Sequence, residues 1–276
     1  MTEQRVQQEG PREGQQRARQ GDAGGAQRPA GRVYFAADVH LGGGDAEEAR
    51  RRERHFVAWL DRAAADAEAI YLLGDLFDFW FEYRRVVPKG FLRPLAKLAE
   101  LTARGIRIVF FTGNHDQWVR DYLASACGVE IRTRPQLVEL HGRQIYLAHG
   151  HDMGLAGEPR LLNRIFRSGL LRRLFAWGVH PDLALKFGHW WSSQSRKAHL
   201  RKGPVDPAIT EPLIGFARDY ARTHRVDHFV FGHLHVARDY REGSLHTLHL
   251  GAWDGPTAAC AVLEPDGTLT LETFAS

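Results

Sequence analysis

Val33-Tyr34-Phe35-Ala36-Ala37-Asp38-Val39-His40 is a short apolar run that ends in two residues able to bind a metal or move a proton. Five apolar residues stopped by an acid predict a buried strand, with Asp38 and His40 delivered at its C-terminal end. The same punctuation recurs downstream. Residues 69–73 run into Gly74-Asp75, and 106–111 run into Gly113-Asn114-His115-Asp116. Helices are expected between them. Asp45 with Glu48 three residues later forms a capping-box pattern ahead of a segment carrying Phe56, Val57, Trp59 and Leu60, and 92–103 makes a second amphipathic stretch. Alternating strands and helices imply parallel pairing with right-handed crossovers, which lines the three polar termini along one sheet edge.

The second half repeats the device. Residues 144–148 lead into His149-Gly150-His151, and 228–231 lead into Gly232-His233-Leu234-His235. Three further strands, 244–250, 258–263 and 268–274, are expected to be antiparallel, with a turn at Pro265-Asp266-Gly267. Two mixed sheets packed face to face with helices outside them accommodate this order, an α/β (α+β) architecture.

With 276 residues, 43% hydrophobic and 25% charged, the chain suits one sizeable domain. Residues 1–30, rich in Gln, Gly, Arg and Glu, are expected to be a disordered tail, and 31–276 the folded domain. No run approaches the ~18 apolar residues of a membrane span, and no apolar signal region opens the chain, so the expected location is the cytoplasm. Cys127 and Cys260 have neither metal-like nor redox spacing and are expected to be buried thiols. Charge is uneven: 153–203 holds ten Lys or Arg against two acids, whereas 31–152 and 204–276 together sum to −5. A basic insert on an acidic body points to a localised anionic partner.

Five strand ends deliver Asp38, His40, Asp75, Asn114, His149, His233 and His235. All offer oxygen or imidazole nitrogen and none is a thiolate, a donor set suited to Mn²⁺, Fe²⁺ or catalytic Zn²⁺. Seven side chains exceed the usual needs of one ion, so two ions sharing a carboxylate are expected, with Asp75 as the bridge. Two ions roughly 3.5–4 Å apart can activate water and clamp both oxygens of an in-line displacement at phosphorus. Gly74, Gly113, Gly150 and Gly232 each adjoin a candidate ligand, where the backbone must turn tightly or approach closely. His55, His141, His180, His224, His228, His246 and His249 lack such a motif and are expected to be ordinary core or surface histidines.

The ordered series Asp38-x-His40, Gly74-Asp75, Gly113-Asn114-His115-Asp116, His149-Gly150-His151 and Gly232-His233-Leu234-His235 resembles the calcineurin-like metallophosphoesterases. The resemblance covers the chain after residue 31 and implies a four-layer α/β/β/α sandwich. It also implies that one ion takes Asp38, His40, Asp75 and His235, and the other Asp75, Asn114, His149 and His233. His115 would face the scissile phosphate, stabilising its charge or protonating the leaving oxygen, with Asn114 and Asp75 also at the reaction centre.

Within that family, 74–83, Val87-Pro88-Lys89-Gly90-Phe91 and Leu250-Gly251-Ala252-Trp253-Asp254 resemble the UDP-2,3-diacylglucosamine hydrolases of lipid A synthesis. That likeness implies a nucleotide-linked diacyl sugar as substrate, cleaved at its pyrophosphate to UMP and the diacylglucosamine 1-phosphate, usually with Mn²⁺. The insert 153–203 mixes its basic residues with Phe166, Phe175, Trp177, Phe187, Trp190 and Trp191, as expected of a helical lid that covers acyl chains and meets membrane headgroups from the cytoplasmic side. Ser195 and Arg196 are similar to the family's phosphate- and sugar-contacting segment, and His151 is a further candidate for substrate contact. Several such hydrolases carry Arg where this chain has His115, and Asp where it has His151. The alternatives are a phosphoesterase acting on a soluble nucleotide or other phosphodiester, and a non-catalytic scaffold. Nucleic acid is not an expected partner, because the basic residues sit in an aromatic-rich insert and form no extended stripe.

Overall fold

The decisive alternation is visible in β1, Arg32–Ala36, where Val33 and Phe35 point to one face and Tyr34 and Ala36 to the other, all four buried. In this computed structural model, which describes residues 31–153, 169–200 and 207–275, both faces of that strand are covered. Val33 and Phe35 join the layer between two sheets, whereas Tyr34 and Ala36 join the layer beneath the helices. The tail expected over 1–30 lies outside the described residues, as do 154–168 and 201–206.

The first sheet has the order β11-β10-β1-β2-β3-β4. From β1 through β2 (Ala67–Leu73) and β3 (Arg107–Phe111) to the edge strand β4 (Glu130–Arg132) the pairing is parallel. β10 (Thr257–Leu263) and β11 (Leu269–Ala275) complete it antiparallel. Its outer face is covered by α1 (Ala46–Ala63) and α2 (Leu92–Ala103), through Phe56, Trp59, Leu60, Leu98 and Leu101. Each such buried side chain contributes about 1.5–3 kcal/mol. The short α3 (Tyr122–Cys127) precedes β4. α1 begins as expected: the N–H groups of Glu47 and Glu48 donate to Asp45 Oδ1 at 2.8 and 2.9 Å, and Asp45 N–H donates to Glu48 at 3.2 Å.

The second sheet has the order β5-β6-β7-β9-β8, with β5 at Gln136–Leu140, β6 at Arg143–Ala148, β7 at His228–Phe231, β8 at Arg238–Glu242 and β9 at Leu245–His249. Ile145, Leu147, Val230 and Leu248 face the first sheet, while Tyr146, Phe229 and Phe231 face Leu213, Ile214 and Ala217 of a C-terminal helix, Glu211–Ala221. The four layers are therefore helix, sheet, sheet, helix.

One expectation fails. The strand expected at 244–250 is antiparallel only to β8; it runs parallel to β7. β8 turns the chain back once at Gly243, so β9 inserts between β7 and β8 in the direction of β7. β8 itself, Arg-Asp-Tyr-Arg-Glu, escaped sequence reading because an edge strand carries charges in place of apolar alternation.

Two helices from the insert follow, α4 (Gly169–Gly178) and α5 (Pro181–Leu200); the C-terminal helix Glu211–Ala221 is α6. Among the described residues no helix is long and apolar enough to cross a membrane.

Candidate metal centre

β1 and β2 leave the first sheet side by side. Asp38 N–H donates to Gly74 O (3.1 Å), His40 N–H to Asp75 O (2.9 Å) and Leu41 N–H to Leu76 O (2.9 Å). These bonds hold Asp38, His40 and Asp75 in neighbouring turns at the strand ends. The second sheet meets them there: the N–H of His233 donates to Asp38 Oδ2 at 2.8 Å. Gly232 N–H in turn donates to His149 O at 3.1 Å, which ties the ends of β6 and β7.

Backbone strain is concentrated here. Seven non-glycine residues among those described have positive φ, and Asp38, His40, Asp75, His233 and His235 are five of them. Each such conformation costs on the order of 1 kcal/mol, so the surrounding hydrogen bonds must over-determine it. Two glycines make the crowding possible. A Cβ on Gly113 would lie 2.1 Å from Asp75 Oδ1, and one on Gly74 2.5 Å from His149 Nδ1.

Among the described residues the side chains converge in three groups, the third of them His40, Asp78 and His115. Asp38, His40, Asp75 and His235 each offer a ligand atom, all within 4.8 Å of one another, and so do Asp75, His149 and His233. Asp75 belongs to both. Asn114 joins the second group, its Oδ1 3.1 Å from His149 Nε2. His149 Nδ1 is committed to Leu73 O at 2.8 Å, which aims Nε2 at Asp75 Oδ2, 3.3 Å away. His115 Nδ1 donates to Asp78 O at 2.8 Å, which turns Nε2 toward Asp75 Oδ2 at 3.9 Å. The half-buried His151 lies near the second group, its ring tilted and centred 5.3 Å from that of His149. Ser195 and Arg196 lie on α5, but their side chains are outside the described residues.

Burial drives the titration of these groups. It holds Asp38 well above the usual carboxylate range, helped by the charge of Asp75 and opposed by His149. Burial pushes Asp75 the same way, yet His149, His115 and His40 outweigh it and hold Asp75 well below that range. His149 follows: burial lowers it, but Asp75 at contact distance raises it to about 10. Burial and neighbouring imidazoles keep His40 and His233 neutral, the form that binds metals.

The donor set fits divalent ions on two observations. Asp38 Oδ1 is buried with no hydrogen-bond partner. His40 Nε2 and His235 Nε2 face each other at 3.0 Å, the separation of two nitrogens about 2.1 Å from one ion and a right angle apart.

Several residues that matter here were not singled out from sequence. Asp116, fully buried, accepts from Gly113 N–H (2.7 Å) and Phe77 N–H (3.3 Å), and burial with Asp75 raises it to about 7. Arg52, buried on α1, donates to His40 O, Gly43 O and Trp253 O at 2.9–3.3 Å and to Asp254 Oδ1 at 2.9 Å. Glu82 accepts from the N–H groups of Arg120, Asp121 and Tyr122 at 2.8–3.1 Å. Asp116 and Glu82 lay within or beside motifs and could have been found; an arginine on a helix carries no such signal.

A family model described as calcineurin-like phosphoesterase matches residues 31–237. The UDP-2,3-diacylglucosamine hydrolase of Porphyromonas gingivalis strain W83 is 38% identical over 237 residues, covering 80% of this chain and 90% of that one. The protein of the same name from Histophilus somni strain 2336 is 33% identical over 86% of this chain and 97% of its own. A solved archaeal phosphodiesterase aligns over 88% of this chain and 99% of its own, with 11% identity and a TM-score of 0.46. Family match and converging Asp, Asn and His side chains lead to one conclusion: the chain belongs to the calcineurin-like phosphoesterases and is a metal-dependent phosphoesterase.

Proposed function

We propose that this enzyme hydrolyses the pyrophosphate bond of UDP-2,3-diacylglucosamine in lipid A synthesis, releasing UMP and 2,3-diacylglucosamine 1-phosphate. The observation that carries this reading is the packing of helix α4 against the aromatic segment that follows Asp75. Phe175 of α4 packs against Phe81 and Trp118, with ring centres 5.2 and 5.9 Å apart. Tyr83 donates to Val179 O at 3.0 Å. A substrate with both acyl chains and a phosphate anhydride needs an apolar cover next to a metal edge, and the names of the relatives agree with it.

The proposed ligands are Asp38, His40, Asp75 and His235 for one ion and Asp75, Asn114, His149 and His233 for the other, with Mn²⁺ as the proposed ion. When bound, the pair supplies a water of lowered pKa as nucleophile and positive charge against the phosphate oxygens. In this reading the water oxygen joins the α-phosphorus as the bond from that phosphorus to the bridging oxygen breaks. His115, whose Nδ1–H donates to Asp78 O, would in its imidazolium form present Nε2–H to give the departing oxygen its proton, and would then recover a proton from solvent. His151, Ser195 and Arg196 are proposed to contact the substrate's phosphates and sugar.

Residues 153–203 are proposed to act as the lid of a single domain, 31–276. Leu174, Trp177, Leu183, Phe187, Trp190 and Trp191 are exposed, Trp177 at 89%. With the basic residues of the same insert they suit peripheral attachment to an anionic cytoplasmic membrane surface.

The test is hydrolysis in ¹⁸O-water with Mn²⁺. Expected is UMP release with the label in UMP; cleavage of a model diester without UMP release above a metal-free control overturns the substrate. A soluble nucleotide substrate, favoured by His115 where several lipid hydrolases carry arginine, would show as turnover that needs neither detergent nor lipid.

A further inference from the structure

The segment that delivers Asp75 to the metal edge continues straight into the lid contacts. Four of its next residues touch the lid. Phe79 fills the space above Gly188 of α5, where a Cβ would lie 2.2 Å from its ring. Phe81 packs on Phe175, and Tyr83 donates to Val179 O. Asp78 accepts a 2.6 Å hydrogen bond from Ser192 Oγ of α5.

This last contact differs from the others in being polar and sealed. Ser192 is 0% exposed and Asp78 1%. A buried carboxylate is costly unless hydrogen-bonded, so the serine hydroxyl fixes both where α5 sits and where Asp78 points. Asp78 faces the reaction centre by two routes. Its carbonyl holds His115 Nδ1 at 2.8 Å, and its Oδ1, the atom that Ser192 touches, lies 3.9 Å from His40 Nδ1. Its own N–H is tied to Leu41 O at 2.9 Å, in the turn that follows His40. One residue thus connects the lid helix, the candidate acid and a candidate ligand.

We propose that Ser192 and Asp78 are a positioning pair that registers lid helix α5 against His115 and His40, so that a substrate held by the lid is presented to the metal edge at a fixed distance. The pair acts through other residues and touches no reacting atom. Its effect should fall on substrates long enough to engage both lid and edge, and the choice of such a substrate rests on the diacyl-nucleotide reading above.

The experiment compares Ser192→Ala, Asp78→Ala, Asp78→Asn and the Ser192→Ala/Asp78→Ala double variant in the full chain with Mn²⁺. Two substrates are used, UDP-2,3-diacylglucosamine and bis(p-nitrophenyl) phosphate, and amide hydrogen exchange is followed across 181–192. Expected for Ser192→Ala is about a tenfold fall in kcat/KM for the diacyl nucleotide relative to the small diester, carried mainly by KM, with faster exchange in α5. The double variant should be no worse than Asp78→Ala, because the two changes remove one interaction. Asp78→Asn, which still accepts from Ser192, should recover much of the ratio. Equal losses on both substrates, additive effects in the double variant, or unchanged exchange in α5 would overturn the pair. Unchanged exchange in β1–β3 and unchanged metal content serve as the fold control. If the wild-type protein cleaves only the small diester, the substrate reading fails by itself, and the pair then stands or falls on the exchange of α5.

Discussion

The backbone N–H of His233 donates to Asp38 Oδ2 across 2.8 Å, so the carboxylate at the end of β1 is bonded to the turn at the end of β7 in the other sheet. Its second oxygen, Oδ1, is buried without a hydrogen-bond partner and lies 3.6 Å from His235 Nε2. One side chain therefore closes the seam between the sheets and offers a ligand atom. Asp38→Asn keeps an oxygen for the His233 N–H and loses the charge. Elemental analysis should show about one ion fewer per chain and turnover should fall at least ~100-fold, with little change in melting temperature. Full metal occupancy in this variant would count against Asp38 as a ligand.

Gly113→Ala tests crowding at the centre. The added methyl would meet Asp75 Oδ1 at 2.1 Å and Asp75 N at 2.6 Å, and the backbone atom cannot swing aside as a side chain might. A loss of at least ~2 kcal/mol of stability is expected, together with weakened binding of both ions, because Asp75 serves both groups. Chemical denaturation and metal titration measure the two effects, and a variant that binds both ions normally contradicts this placement of Asp75.

Arg52 is a brace between α1 and two loops. Arg52→Ala strands the carbonyls of Gly43 and Trp253 and leaves His40 O with only the Gly43 N–H, for an expected loss of about 3 kcal/mol. Activity should fall with it, since His40 is one of the residues held. Arg52→Lys should recover only part, because an ammonium cannot reach in several directions as the planar guanidinium does. The urea midpoint and kcat of the three proteins, compared side by side, decide it.

His249, fully buried on β9, gives a pH dependence with a defined sign. Burial, aided by Arg238, lowers it from its ordinary 6.5 to about 4. The folded state favours the neutral ring, and as pH falls the unfolded chain takes up the proton first. Its contribution is present above pH 6.5 and is lost as the pH drops from there toward 4, by on the order of 3 kcal/mol. His228, also lowered to about 4 by burial and by His246, acts in the same direction. In chelator, so that metal release does not contribute, His249→Gln should lose less stability than the wild type between pH 7 and 4.5. Parallel stability curves would show that His249 does not titrate in this way.

Much of the candidate site was legible because its Asp, Asn and His side chains are local to strand ends. Asp38, His40, Asp75, Asn114, His149, His233 and His235 were read as one set, and the structure brings them to one edge. Strand-then-turn punctuation survives in sequence since each turn needs small or strained residues at fixed offsets, as at Gly74 and Gly113. Asp78, Arg52 and Ser192 were not legible in their roles, because each acts on a partner far away in the chain; Ser192 and Asp78 are 114 residues apart.

The sequence alone determined which strands end in Asp, Asn or His residues able to bind a metal, their donor chemistry, the basic aromatic insert and the resemblance to a phosphoesterase family. Only the tertiary structure decided that β9 runs with β7, that His233 reaches back to Asp38, that Asp78 aims His115, and that Phe175 of α4 packs on Phe81. The division has a physical reason. Periodicity and turn chemistry are properties of neighbouring residues, whereas strand order, the partner of a buried polar group and the seating of a helix are settled by packing between segments distant in the chain.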